Sequence, residues 1–462
     1  MNSRQRRVTA AVSAVVALAS AAGAVVSYGR GAAADGSTAT PTVAVLSPRR
    51  APAAFRDFVA DTRLASRVNA VMRSLPATSC VVVEADGDPI VSYNGDELLM
   101  PASTLKLTTA AAFLATVGGT GHFTTTVEGK RPDATGTVQG DVVLVGGGDP
   151  LLAHAGYVAT RKHPPTPATD INQIVTALQK SGVKHVTGGI GVYDGIFDAE
   201  RRVPTWSAGY TATGDVGPIG ALAVDDGFSS YTPRLVAAPD PALAAGDALR
   251  TALAAAGIAV DGATFRAGQK PVESALASVQ SAPFADVVGE MLRESDNNTA
   301  ELLLKELARH STGATGTRAA GVAARTAALT KLGVRASEVE AIDGSGLDRS
   351  DRTDCRTLLA TLTTKPGGYD LDNMLAVAGE TGTLDDRFLT SPLVHKLRGK
   401  TGSLDGVTAL VGVADPGAPV KIRFAFIANG TFDDPGGKAL QDRVVAALAT
   451  YPEVPSVGAL TP

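Results

Sequence analysis

The sequence predicts an α+β fold: an antiparallel sheet flanked by helices, with a further α+β region inserted into it. Three observations lead there. Hairpin signals lie near both ends of the folded part, around Cys80–Tyr93 and again between Arg398 and Gly430. Helical periodicity returns at Phe284 and recurs in further helices through and beyond Arg318–Leu332. Between residues 124 and 280 the texture changes to short β-like runs broken by Gly and Pro. Runs of strands and runs of helices, without a regular alternation of the two, mark α+β organisation. With 462 residues, 44% of them hydrophobic, the chain can build more than one core.

The N-terminus reads as an address. Arg4, Arg6 and Arg7 precede an uncharged, Ala- and Val-rich stretch from Val8 to Gly29. Residues 1–29 are therefore a secretory signal peptide or an N-terminal membrane anchor. Residues 30–54, rich in Ala, Pro, Ser and Thr, read as a flexible linker. The expectation is an exported protein of the cell envelope, periplasmic or otherwise extracytoplasmic. Its main domain would come in two parts, 55–123 and 281–462, separated by the inserted region 124–280. A net charge of -4 with both signs interspersed leaves no basic face, so nucleic acid is not an expected partner. Cys80 and Cys355 either pair in a disulfide or stay as buried thiols. Neither has metal-ligand spacing, and no metal or cofactor is expected.

The elements follow in order. Cys80–Val83 is apolar and mostly β-branched, "DGDP" turns the chain at Asp86, and "IVSY" returns it. A helix starts near Ser103, with Pro101 just ahead of its first turn. In the middle region, "VVLVGGGDPLL" and "VTGGIGVYDGIF" are strand-like and "DINQIVTALQKSG" is helical. "PALAAGDALRTALAAAGIAV" is a helix followed by a strand. The stretch "FADVVGEMLRESDNNTAELLLKELARH" splits at "SDNN" into two helices, the second capped by Thr299 or Asn298. Helices follow near Arg318–Leu332 and after "DGSGLDRSDR". The run from Arg398 to Gly430 gives strands with a hairpin over "DPGAP", and an amphipathic helix near Lys438–Ala449 closes the fold.

Three clusters carry chemistry. In "PASTLKL", Ser103 and Lys106 stand three apart at the head of a helix and share a face. Burial would push the lysine toward its neutral form, which can take a proton from the serine. The N–H groups of a helix start can stabilise an oxyanion. In "SDN", the Ser295 hydroxyl and the Asn297 amide lie two residues apart in a loop and can enter one cleft. In "KTG", read as an edge strand, Lys400 supplies a cation and Gly402 lets a substrate backbone come close, with Thr401 and Ser403 beside them. Two decoys, "SGVK" at Ser181 and "SYN" at Ser92, lie at a turn and a hairpin end.

Ser-x-x-Lys, Ser-x-Asn and Lys-Thr-Gly in this order resemble the penicillin-recognising serine acyl transferases, the penicillin-binding-protein/β-lactamase-like fold with its transpeptidase domain. The long interval 104–294 narrows the likeness to the D-alanyl-D-alanine carboxypeptidase/endopeptidases, class C low-molecular-mass penicillin-binding proteins of peptidase family S13. "GGGDPLL", "DGSGLDR", "GTLDDRF" and "KTGSLDGV" resemble it too, so that the likeness spans Thr78 to Ala449. The resemblance implies a serine-type D-Ala-D-Ala carboxypeptidase working through an acyl-enzyme. Ser103 would be the nucleophile and Lys106 its base. Ser295 would relay protons to the leaving amine, Asn297 would hold the substrate amide, and Lys400 would position Ser295. Thr401 and Ser403 would grip the terminal carboxylate, and the amides of Ser103 and Ser403 would form the oxyanion hole. Peptidoglycan stem peptides ending in D-Ala-D-Ala would be the substrates and β-lactam antibiotics the inhibitors. Family members carry an aspartate after a Trp that meets the diaminopimelate amine; after Trp206 the counterpart is Tyr210 or Asp215. Asp149 in "GGGDP" reads as a turn residue.

Rival readings fare worse. A serine β-lactamase of class A would place Glu-x-x-Leu-Asn between the second and third motifs, and that pattern is absent between Ser295 and Lys400. A non-catalytic wall-binding protein would not need Ser103, Lys106, Ser295, Asn297 and Lys400 together. There is no G-x-S-x-G elbow for a Ser-His-Asp hydrolase, and the six histidines stand near no obvious nucleophile.

Overall fold

The computed structural model describes residues 53–163, 167–417 and 420–454. The signal or anchor segment and most of the linker lie outside these residues, as do two positions of the "DPGAP" turn. The end of the linker stretch is helical instead: α1 (Ala53–Met72) already begins there. Its Leu64, Val68 and Met72 recur at helical spacing and are buried, so this segment belongs to the core.

After α1 come β1 (Ser79–Ala85) and β2 (Asp88–Tyr93), then a 3-10 turn at Ala102–Leu105 that runs into α2 (Lys106–Thr116). The inserted region starts with β3 (Thr124–Gly129), β4 (Thr137–Val138), β5 (Val142–Val145) and β6 (Leu152–Ala153). It continues through α3 (Ala155–Val158), β7 (Thr169–Asp170), α4 (Asn172–Lys180), β8 (His185–Val186) and β9 (Ile190–Tyr193). Then follow α5 (Gly209–Thr213), β10 (Phe228–Ser230), β11 (Val236–Ala237), α6 (Pro241–Ala255), β12 (Ala259–Val260), β13 (Thr264–Arg266) and β14 (Ala275–Gln280). The main domain resumes with α7 (Phe284–Glu294), α8 (Asn297–Thr312), α9 (Arg318–Lys331) and α10 (Cys355–Thr363). It ends with β15 (Ala376–Val377), β16 (Leu397–Leu404), β17 (Val407–Ala414), β18 (Ile422–Asn429) and α11 (Asp434–Leu448).

The main sheet has the order β15-β16-β17-β18-β1-β2, with every pair antiparallel. Its central strands are apolar at nearly every position because both faces are covered. Cys80 and Val82 of β1, with Ala425 and Ile427 of β18, face a core built with α2, α7, α8, α9 and α10. Val81 and Val83, with Phe424 and Phe426, face the other way onto α1 and α11. A disulfide joins Cys80 of β1 to Cys355 at the start of α10, with the Cα atoms 6.0 Å apart.

The inserted region has its own core under a sheet of order β13-β9-β5-β3-β14, with α4 and α6 packed on it. β3 and β14 pair with Thr124 opposite Gln280, so the chain leaves and rejoins the main domain at neighbouring points. A smaller cluster, including Phe197, Trp206 and Ile219, meets Leu302 and Leu347 of the main domain.

Three expectations need correction. α8 is capped by Asp296, whose carboxylate accepts from the Thr299 amide at 2.9 Å, and not by Asn298 or Thr299. The left-handed turn at Ser295 puts extended Asp296 at the position where a side-chain oxygen meets a free helix-start N–H. α11 begins four residues before Lys438, because Asp433 caps it and Pro435 suits its first turn. The helix predicted at Ser103 opens as a 3-10 turn, and regular α-helix starts only at Lys106. Among the described residues no helix is long and apolar enough to cross a membrane.

Candidate active site

Ser103 lies in the 3-10 turn and Lys106 is the first residue of α2. Side chains at i and i+3 eclipse in 3-10 geometry, which stacks the two. Lys106 Nζ stands 3.0 Å from Ser103 Oγ. Ala102, just before the nucleophile, has φ 46. That left-handed backbone costs a non-glycine residue about 1–3 kcal/mol, and packing from all sides must hold it.

Lys106 is fully buried. Besides Ser103 Oγ, its Nζ faces Asn297 Oδ1 at 2.6 Å and the Ser345 carbonyl at 2.7 Å. Burial pulls its pKa down to about 8, while Asp343, Glu301 and Asp296 pull the other way. As an ammonium it has one proton for each of three acceptors. As a neutral amine its two protons suit the two carbonyl oxygens, and the lone pair is left for the more distant Ser103 hydroxyl.

The Ser345 carbonyl is held by a loop with no role in the three-cluster reading. Glu301 on α8 accepts from the Gly344 and Ser345 amides at 2.9 and 2.8 Å. Asp343 accepts from the Gly346 and Asp348 amides at 2.7 and 2.9 Å, and from the indole of Trp206 at 2.8 Å. Burial and the nearby Asp343 raise Glu301 to about 7. "DGSGLDR" signalled this loop in the sequence only as a family likeness; Glu301 carried no signal at all.

Ser295 terminates α7 in the left-handed region, φ 63, and Asp296 starts α8. This sharp junction turns the Ser295 side chain toward Lys400 Nζ, 2.8 Å from its Oγ. Lys400 is fully buried, and burial plus the neighbouring Lys106 drive its pKa well below the usual lysine range. Asn297 is bonded at both ends of its amide: Oδ1 faces Lys106 and Nδ2 donates to the Asp215 carbonyl at 2.7 Å. In this structure it therefore orients Lys106, beyond the substrate contact expected of it.

β16 is an edge strand only in part. β15 pairs with Arg398 and Gly399 and stops there. Lys400 to Leu404 thus have β17 on one side and, among the described residues, no strand on the other. Thr401 Oγ1 donates to Thr383 Oγ1 at 2.9 Å, and Ser403 Oγ to Asp434 at 2.7 Å. Gly402 also has a close neighbour within the chain itself. A Cβ there would lie 2.7 Å from the Pro101 carbonyl and 3.2 Å from the Ser103 amide. What comes close to Gly402 is the chain's own nucleophile turn.

Ser103, Ser295, Asn297, Thr401 and Ser403 line one cleft of about 860 Å³. The structure brings the three motifs together, and Lys106 and Lys400 lie just beneath. Tyr210 and Asp215 line it as well, with the Tyr210 hydroxyl donating to the Leu347 carbonyl at 3.3 Å. His163 stands on the same wall, beside Asp385 at 3.4 Å, closer to the site than the sequence suggested for any histidine. The decoys stay outside: Ser181 donates to the Leu276 carbonyl, and Ser92 accepts from Arg356. Asp149 holds a turn through the Leu151 amide at 2.9 Å.

The D-Ala-D-Ala carboxypeptidase 3 (S13) family model matches residues 64–234 and 229–451. The chain belongs to this family. It is a serine-type D-Ala-D-Ala carboxypeptidase, as the resemblance implied. A carboxypeptidase of Mycobacterium tuberculosis is 33% identical to this S13 chain over 371 residues, 76% of each protein. A D-alanyl-D-alanine carboxypeptidase of Actinomadura sp. is 29% identical over 80% of each. Among solved structures, penicillin binding protein 4 (dacB) from Haemophilus influenzae is similar with a TM-score of 0.69. That match covers 82% of this S13 chain and 98% of the other at 21% identity, and establishes the penicillin-binding-protein fold.

Proposed function

We propose that this S13 protein cleaves D-Ala-D-Ala bonds of peptidoglycan stem peptides through an acyl-enzyme on Ser103, and that penicillins acylate the same residue. The observation that carries the reading is the trio of acceptors around the buried Lys106 Nζ. Neutral Lys106 takes the proton of Ser103 Oγ as that oxygen bonds to the carbonyl carbon of the penultimate D-Ala. The C–N bond to the terminal D-Ala then breaks. Its nitrogen gains that same proton, passed on from Lys106 by way of Ser295, which Lys400 orients. Water next attacks the ester and gives its proton to Lys106, neutral again, which hands it to Ser103 Oγ as the ester C–O bond breaks. The amides of Ser103 and Ser403 hold the oxyanion.

The open side of β16 beyond Gly399 supports this reading, because an extended peptide can lie along unpaired backbone groups. Thr401 and Ser403 would meet its terminal carboxylate. Tyr210 and Asp215, the two candidates for contact with the stem-peptide side chain, line the same cleft. The same site cuts cross-links whose scissile bond also follows D-Ala, which is endopeptidase action.

The protein works outside the cytoplasmic membrane, delivered or held there by residues 1–29. A Cys80–Cys355 disulfide suits an oxidising compartment, and the wall substrate lies there too.

Intact-mass spectrometry after incubation with penicillin tests the proposal. One penicillin mass should be added to the wild type and none to Ser103→Ala. Unmodified wild type, or a penicillin adduct on the Ala variant, would refute it.

A further inference from the structure

The inserted region does more than wall the cleft. Three consecutive residues at the start of α8 are each bonded to it. Asp296 Oδ2 pairs with Arg161 Nη1 at 3.2 Å. Asn297 Nδ2 donates to the Asp215 carbonyl at 2.7 Å. Asn298 Oδ1 accepts from the Gly217 amide at 2.8 Å. Two of these contacts come from backbone, and only Arg161 supplies a side chain.

Arg161 is itself tightly held. Its other guanidinium nitrogen, Nη2, pairs with Asp226, whose carboxylate also accepts from the Tyr157 hydroxyl at 2.6 Å. The guanidinium lies 5.4 Å from the centre of the Tyr157 ring. Asp225 and Asp226 both have left-handed backbone, φ 54 and 55. That turn is braced by His154, which bonds Asp225 through its amide and its ring. Glu290 of α7 is a third carboxyl near Arg161, with Oε1 at 3.8 Å from Nη1. It is 1% exposed and neither oxygen has a hydrogen-bond partner among the described residues. Burial, with Asp296 beside it, pushes the Glu290 carboxyl well above the usual carboxylate range, against the pull of Arg161.

With Asp226, Asp296 and Glu290 all around it, the guanidinium is engaged within the protein, although it borders the cleft. Its geometry suits alignment instead. Ser295 and Asn297 flank Asp296, and they are the residues that touch Lys400 and Lys106. We propose that Arg161 is a positioning residue for acylation: from the inserted region it fixes Asp296, and so sets Ser295 and Asn297 against the two buried lysines. This rests on the acyl-enzyme reading above.

A misplacement of about 1 Å at a catalytic group costs on the order of a hundredfold in rate. Arg161→Met should therefore lower the rate of acylation by a fluorescent penicillin by about 10- to 100-fold. For a D-Ala-D-Ala peptide the loss should fall on kcat with KM little changed, because Arg161 does not touch substrate. Arg161→Lys should recover part of the rate, since an ammonium can still face one of the two aspartates. If Arg161→Met does not fold, Asp226→Asn removes the anchor at nearly constant shape and should lower the rate about tenfold. A folded variant with a lowered melting temperature but wild-type acylation rate would overturn the proposal, as would a loss confined to KM. Wild-type protein that takes up no penicillin would instead overturn the acyl-enzyme reading itself.

Discussion

Lys106 Nζ stands closer to Asn297 Oδ1, at 2.6 Å, than to Ser103 Oγ, at 3.0 Å. The amide thus acts on the base before it acts on any substrate, and fixes which way the amine's lone pair points. Asn297→Ala should cut the penicillin acylation rate by about 10²-fold, the usual size of a lost general-base alignment. Asn297→Asp should place a negative charge on the amine and move the pH at which acylation is half-maximal upward. Stopped-flow acylation across a pH series measures both. An unmoved midpoint in Asn297→Asp would show that the carbonyl oxygen does not face the amine.

The pH profile of the wild type follows from Lys106. With a pKa of about 8, roughly one molecule in ten has the neutral amine at pH 7. Acylation should climb about tenfold per pH unit below that pKa and level off above it. Stability also rises with pH, because the depressed pKa means that the folded chain binds fewer protons than the unfolded one between about 8 and the ordinary lysine value of 10.5. This lysine's penalty is full below pH 8 and fades as pH rises toward 10.5. Melting temperatures of wild type and Lys106→Met should differ most at neutral pH and converge in alkali.

Gly402→Ala tests the contact between β16 and the nucleophile turn. The new methyl would press on the Pro101 carbonyl at 2.7 Å, a backbone atom that cannot swing away. Ser103 must shift, and kcat/KM for a D-Ala-D-Ala peptide should drop by about 10- to 100-fold. If the glycine serves only a substrate backbone, the penicillin-free variant will melt like the wild type; a fall of about 1–3 kcal/mol in stability supports the packing role.

Reduction of the Cys80–Cys355 bond should lower stability by about 2–4 kcal/mol, because it ties residues 275 positions apart. Thermal melts with and without reductant would show it. The double variant Cys80→Ala/Cys355→Ala should lose the response to reductant altogether.

Much of the site was legible because its residues are chemically conspicuous. Ser103, Lys106, Ser295, Asn297 and Lys400 are short polar or charged groups at fixed spacings, and backbone periodicity makes spacing a statement about direction. The β1–β2 hairpin and the strands between Arg398 and Gly430 could be read for the same reason: runs of β-branched and aromatic residues leave few alternatives. Partners that meet only in three dimensions were not legible. Glu301 sits inside an ordinary amphipathic helix, and its bonds to Gly344 and Ser345 depend on how α8 crosses a loop. Arg161 lies in a stretch with no pattern of its own, yet it reaches Asp296 across 135 positions. The cysteines were undecided because spacing says nothing about whether two thiols meet. Asp296 as helix cap was missed because the five polar residues from Ser295 to Thr299 each suit that position, and only the backbone turn at Ser295 selects among them.

Thr124 opposite Gln280 has a consequence for how such proteins vary. A segment whose entrance and exit share one rung of a ladder can be lengthened, trimmed or exchanged as a cassette. The hydrolytic frame need not be re-registered, because closing the loop is already met at its base. Whatever replaces it must still deliver three matching contacts to residues 296–298, and that short clasp is where exchange between relatives would first fail.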